Sequence, residues 1–278
     1  MSSPLSSAQA ARVALAMRLR HLRLDAGLTS GDLSAACGWH PAKTSRIEHA
    51  KVAPSDADLR AWCTACAADD QAPDLIAAAR NAHSMYVEWR RLNRGGLTSL
   101  QREIAPLMDR TRQFRVYCAH VVPGLLQTRA YAAAVIAAYG RFHHAATDID
   151  TAAAARVKRS AVLHKRGRRF AFLIEEPVLH SRLVGQEVAA EQLAHLEEIA
   201  HLPQVSLGIV PATAPRPLWP TESFTVYDDT QVGIELLSAR VTLTAPSEIV
   251  LYERAFADLA ATAAHGPAAL ALIRRATG

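Results

Sequence analysis

A glycine and a proline close together, Gly38 and Pro41, constrain this chain more than any other feature. They break the stretch SGDLSAACGWHPAKTSRIEHAK, residues 30 to 51, into two short helices rather than one long one. Thr29 suits the N-cap of the first helix, Gly38 supplies the left-handed residue that ends it, and Pro41 fits the first turn of the second, where a missing N–H removes no helical bond. Two helices that cross steeply need apolar residues on their facing sides and a small residue at the crossing. Leu33, Cys37, Trp39, Thr44 and Ile47 fall on the inward positions and Ser34 at the crossing, with Thr44 the weakest member. The spacing predicts a helix-turn-helix whose second helix leads with its N-terminal end, a shape that fits a DNA major groove.

Helices flank this unit. Val13, Ala16, Met17, Leu19, Leu22 and Leu24 mostly keep helical spacing up to Gly27. Ser55 caps a fourth helix that places Leu59, Trp62, Cys63 and Cys66 on one stripe, and a fifth is expected from Pro73 to about Leu92. The string NRGG at 93–96 reads as a hinge. Beyond it, helical stretches near 98–113, 127–139, 150–166, 186–201 and 247–276 alternate with the β-rich runs RFAFLIE, VSLGIVP, SFTVYDD and GIELLSARVTLTA. The expected fold is mainly α: a five-helix DNA-binding domain over residues 1–84, then an α+β regulatory or dimerisation domain over 85–278 with about four or five strands.

Composition narrows the function. The net charge is +5, and the basic residues gather in two places. In the first, Arg12, Arg18, Arg20, Arg23, Lys43, Arg46 and Lys51 outnumber Asp25, Asp32 and Glu48. The second is the acid-free run from Arg156 to Arg169. Both suit a polyanionic partner. No apolar run reaches the roughly 18 residues a membrane helix needs, and the basic, interrupted N-terminal stretch is unlike a signal peptide, so a soluble cytoplasmic protein is expected. Four cysteines are too few for a disulfide framework in a chain of 278 residues.

The segment LRHLRLDAGLTSGDLSAACGWHPAKTSRIEHAKVAPSDADLRAWC resembles the lambda-repressor/Cro-like (XRE) family of DNA-binding domains over roughly residues 12–80. The resemblance implies base reading by Ala42, Lys43 and Arg46 and phosphate contacts at Thr29, Ser30, Ser45 and Lys51. It also implies an internal ion pair between Arg23 and Glu48. Ser30, His40 and Ala50 depart from the family's usual glutamine, Ser/Thr cap and glycine. The strings HVVPGLLQTRAYAAAVI, EEPVLHSRLVGQEVAAEQLAHLEEIAHLPQVSLGIVP and SFTVYDD are similar to the uncharacterised C-terminal domain that follows such units in actinobacterial regulators of development and secondary metabolism. That likeness implies a regulator with a small protein partner or small-molecule effector and no catalytic residues.

Other features read as structure. Cys63 and Cys66 have CxxC spacing, but they share the apolar stripe of Leu59 and Trp62, where cysteine packs as a small hydrophobe; a redox or metal role is the alternative. The histidines, including His143, His144, His195 and His201, lack ligand spacing, so neither metal nor cofactor is expected. Arg156–Arg169 is a solvated helix end or a second contact to DNA or an acidic partner. No phosphate-binding or nucleophile motif occurs, and Glu175 and Glu176 have no convergent second group, so the chain is not expected to be an enzyme. The reading is a homodimeric transcription regulator binding double-stranded DNA, since one recognition helix reads one half-site. An interaction module with weak or lost DNA specificity is the alternative.

Overall fold

The computed structural model describes residues 7–81, 86–88, 98, 102, 104–144, 148–216, 218–219 and 222–277. They group into two units: the described part of Met1–Tyr86 with Thr242–Ile249, and Val87–Val241 with Val250–Gly278.

The first unit is built from α1 (Ser7–Asp25), α2 (Ser30–Ala36), α3 (Pro41–Glu48), α4 (Asp56–Ala65) and α5 (Ala72–Asn81). Its core is Leu15, Leu19, Leu33, Ile47, Leu59, Trp62, Cys63 and Leu75 with their neighbours. Trp62 is fully buried and its indole N–H donates to the Leu19 carbonyl at 3.1 Å, so the ring fills the centre without leaving a polar atom unpaired. Leu15 takes the inward place on α1, while Met17 and Leu24 point outward at 54% and 52% exposure. α5 ends at Asn81 and Tyr86–Glu88 is a short strand, β1, so the expected helix to Leu92 does not continue that far. The hinge expected at 93–96 lies outside the described residues.

The second unit is α+β. Its strands are β2 (Gln113–Cys118), β3 (Arg169–Glu175), β4 (Val205–Val210), β5 (Phe224–Tyr227), β6 (Gln231–Glu235), β7 (Ala239–Leu243) and β8 (Ala264–His265). The sheet order is β1-β7-β6-β5-β2-β3-β4-β8. β2, β3 and β4 are mutually parallel, whereas β5 runs antiparallel beside β2 and β6 antiparallel beside β5. The parallel strands are joined by helical crossovers: α7 (Arg129–His143) and α8 (Ile149–Ser160) lead from β2 to β3, and α9 (Glu176–Leu179) and α10 (Gln186–Ala200) from β3 to β4. α6 (Ala105–Arg110) precedes β2; α11 (Pro246–Thr262) and α12 (Pro267–Thr277) close the chain. Phe114, Phe170, Phe172, Ile174, Leu196 and Ile209 lie at the centre of the core.

Several expected elements change here. Among the described residues of the helix expected over 98–113, Thr98, Arg102 and Ala105–Arg110 are helical, the last stretch carrying Pro106 in its first turn, whereas QFRVYC after it is an internal strand. The run GIELLSARVTLTA divides into the end of β6 and β7 around a turn closed by Leu236 N–H to Ala239 O. The helix expected over 247–276 is interrupted at Ala264–His265, Gly266 and Pro267, the kind of Gly-Pro break that ends helices.

Ala50, just after α3, has φ of +54°. An L-residue there costs about 1–2 kcal/mol, against roughly 0.5–1 kcal/mol for the extra freedom glycine loses on folding. Ala50→Gly is therefore expected to stabilise the unit by about 0.5–1 kcal/mol in chemical denaturation. A destabilised variant would show that the Ala50 methyl packs usefully.

Candidate nucleic-acid interface

α2 is closed at its start by a reciprocal cap. The Thr29 hydroxyl accepts from Asp32 N–H at 3.1 Å, while the Asp32 carboxylate accepts from the Thr29 N–H at 2.9 Å and its hydroxyl at 2.6 Å. These bonds hold the Asp32 carboxyl below its usual pKa. Gly38, at φ +65°, turns the chain out of α2, with its N–H on Ala35 O and that of Trp39 on Ser34 O. His40 then caps α3, its Nδ1 accepting from Ala42 N–H at 3.2 Å. An imidazole nitrogen does the work a serine or threonine hydroxyl would do.

The crossing of α2 and α3 is sealed by hydroxyls. Ser34 and Thr44 are both buried, and their Oγ atoms lie 2.6 Å apart. Ser34 uses its one proton on Ser30 O at 2.8 Å, so Thr44 is the donor between them. This explains a polar residue at an inward position: both hydroxyls are satisfied at no cost in space. Leu33 and Ile47 are fully buried beside them, whereas Cys37 and Trp39 are only partly so.

The structure brings Arg23 and Glu48 together. Arg23 Nε donates to Glu48 Oε1 at 2.6 Å and Nη2 to Oε2 at 3.1 Å, and Nη1 donates to Leu28 O at 2.7 Å. Each side chain is 8% exposed. The hydrogen bonds that Arg23 donates to Glu48 raise its pKa further, against the opposing effect of burial. One guanidinium thus ties α1, the turn after it and the end of α3 together.

The outward face of α3 carries Ala42, Ser45 and Arg46, all exposed, with Thr29 and Lys51 also exposed and Ser30 partly so. Arg46 Nε donates to Ala42 O of its own helix at 3.1 Å. Lys43 is placed differently from its neighbours. Its Nζ lies 2.5 Å from Asp58 Oδ1 on α4 and 4.3 Å from the centre of the Trp39 ring. Burial works against the Asp58 carboxylate, but Lys43 and Ser55 outweigh it and its pKa falls. Asp58 is the residue that sequence reasoning missed here. Ser55-x-x-Asp58 is legible as a capping box, and the box does form, but nothing in the sequence indicates that the same carboxylate also reaches Lys43.

Elsewhere the charged candidates are absorbed into the fold. Cys63 and Cys66 are buried, and burial pushes their thiols up, Cys63 to about 11, where the reactive thiolate is scarce. Glu175 is 3% exposed, accepts from the Tyr117 hydroxyl at 2.7 Å and holds Arg216 by two bonds of 2.6 Å. Glu176 accepts from Ala212 N–H at 2.8 Å. The basic run is not one surface: Lys165 pairs with Asp109 at 2.7 Å, Arg168 donates to the carbonyls of Met108 and Asp109, and the half-buried Arg156 and Arg159 line a cavity. Among the described residues, no group of three or more histidine, cysteine or acidic side chains is placed to hold a metal, and no helix is long and apolar enough to cross a membrane.

Comparison with known families gives two matches. Residues 14–75 match a helix-turn-helix domain, and residues 101–275 match a domain of unknown function, DUF5753. No curated protein and no solved structure matches the chain.

Proposed function

Because the chain belongs to the DUF5753 family, whose domain covers residues 101–275, and carries a helix-turn-helix domain ahead of it, we propose that it is a sequence-specific, DNA-binding transcription regulator. The carrying observation is the exposed Arg46 face of α3, fixed from behind by the Arg23–Glu48 pair. Arg46 and Ala42 read base edges, while Thr29, Ser30, Ser45 and Lys51 fix the register on phosphates. Residues 1–84 form the reading domain and 85–278 the controlling one, in a cytoplasmic homodimer of XRE type whose second domain takes a small-molecule effector or a small protein. No catalytic role is assigned.

Selection of bound sites from random duplex DNA by the purified chain tests this. The expected product is an inverted repeat with half-sites about 34–36 Å apart. Failure to enrich any sequence would favour an interaction module, a reading that gains support from the poor base chemistry of Pro41 and Ala42 and from Lys43 being held by Asp58.

The Lys43–Asp58 contact has its own consequence. Lys43 must leave Asp58 to reach DNA, so Asp58→Asn is expected to raise affinity for cognate and random duplexes alike and to steepen the salt dependence by about one phosphate contact. Unchanged affinity and slope in a filter-binding titration would mean that Lys43 stays on α4. With the Asp58 pKa lowered in the fold, the contact stabilises the protein above the ordinary carboxylate range. That stabilisation is lost as pH falls through the lowered value, below about pH 4.

A further inference from the structure

A cavity of about 200 Å³ lies within the second unit, between one face of the sheet, α8 and the turn over residues 121–127. Its floor follows from the strand register: Phe114 is opposite Tyr227, Val116 lies between Phe172 and Thr225, and Thr225 is opposite Gly233, so these positions share one face. Gly233 keeps that floor open, because a Cβ there would meet the Tyr227 ring at 3.2 Å and its hydroxyl at 3.9 Å. The apolar walls are deep: Phe114, Val116, Val122, Leu125 and Phe172 are each no more than 6% exposed. Engineered cavities of about 150 Å³ with such walls stay dry and hold benzene, so this one has room for a ring with a small substituent.

The charged residues of the lining form its mouth. Arg156, Arg159 and Arg240 are half-buried, and Glu235 beside them is exposed. Arg156 donates to the Gln127 amide oxygen at 3.0 Å, and Glu235 acts on both Arg156 and Arg159, working against the fall in pKa that burial causes. The rim thus carries its own carboxylate, and its chemistry does not call for an anion. Deeper in, the polar groups are neutral. Burial, with Glu235 adding to it, pushes the Tyr227 hydroxyl up to about 12, and burial pushes the Cys118 thiol up to about 12. The Tyr227 oxygen accepts from the Thr225 hydroxyl, an arrangement in which the phenolic O–H can still donate. An apolar space with one such donor admits a neutral molecule that keeps one hydrogen bond at far lower cost than it admits an ion.

We infer that this cavity binds a small neutral cyclic molecule with one oxygen acceptor, of the class of aryl and alicyclic ketones, its ring against Phe114, Val116 and Phe172 and its oxygen on the Tyr227 hydroxyl. Only the coupling of this binding to DNA rests on the regulatory reading above; the binding itself does not.

Calorimetric melting of the full chain, without DNA, tests it. Acetophenone and cyclohexanone are set against benzoate and benzylammonium at matched concentration and ionic strength. At least one ketone is expected to raise the Tm by about 3 °C or more, with a clearly smaller effect from both ions. Tyr227→Phe keeps the ring and removes the hydroxyl, so in a concentration series it is expected to weaken ketone binding roughly three- to tenfold. Val116→Phe fills the hollow and is expected to abolish the shift. Should Val116→Phe not fold, Tyr227→Phe and the contrast between ketones and ions on the natural chain decide. Ketones that give no shift, an equal shift from either ion, unchanged ketone binding by Tyr227→Phe, or a full shift in folded Val116→Phe would each overturn the inference. Since no DNA is present, a failure here is separate from a failure to bind an operator.

Discussion

Arg23→Met is expected to lower the stability of the helix-turn-helix unit by about 3–5 kcal/mol, the typical loss when one member of a buried ion pair is removed. For a unit of this size that corresponds to a fall in Tm of roughly 12 °C or more. The loss is large because the substitution strands two acceptors. Glu48, 8% exposed, keeps its charge without its bidentate partner, and the Leu28 carbonyl loses the Nη1 donor. The Coulomb attraction itself contributes less than this figure suggests, since both ions lost their hydration to form the pair. The double variant Arg23→Met, Glu48→Leu should therefore recover much of the loss, and a double-mutant cycle measures the coupling. A loss below about 1 kcal/mol for Arg23→Met, the range of exposed pairs, would mean that water enters and the pair is not structural. DNA affinity should fall in the same variant, because Glu48 is the last residue of α3 and its anchor sets the tilt of the Arg46 face.

The second large effect is expected at Arg46. Arg46→Ala should weaken binding to the selected operator by about 1–3 kcal/mol and relax preference at one base position, with a much smaller loss on random duplex. The asymmetry carries the test. A guanidinium that makes two hydrogen bonds to a guanine edge discriminates among bases, whereas one that meets a phosphate adds affinity everywhere and appears in the salt slope. Equal losses on both duplexes would reassign Arg46 to the phosphate set and leave Ala42 alone to read sequence. Arg46 is exposed and its Nε donates within its own helix, so the variant should fold normally.

Local signals set much of the first unit. Thr29, Gly38, Pro41 and Ser55 place helix ends through caps and turns that involve only nearby residues, which is why those boundaries were legible. The second unit was legible in class but less so in detail. β2 was missed because QFRVYC follows a helical run directly, and its alternation is brief; parallel neighbours on one side and antiparallel on the other make it a central strand. Ala264–His265 is too short to carry a period at all and is a strand by virtue of pairing with Gly208 and Ile209.

Charge is where sequence and tertiary structure part most clearly. By itself the sequence determined that a steep helix pair exists, which side of it is apolar, and that basic residues occur on its outer face and again between 156 and 169. It could not assign those charges to partners, because an ion pair depends on distances between residues far apart in the chain. The fold tied Lys43 to Asp58, set Arg23 against Glu48, and turned Arg156 and Arg159 from an apparent surface run toward a cavity floored by Gly233 and Tyr227. The physical reason is the range of the forces. Capping and turn preferences act within about four residues and are written locally, whereas desolvation and Coulomb energy depend on everything within several ångströms and exist only once the chain has folded.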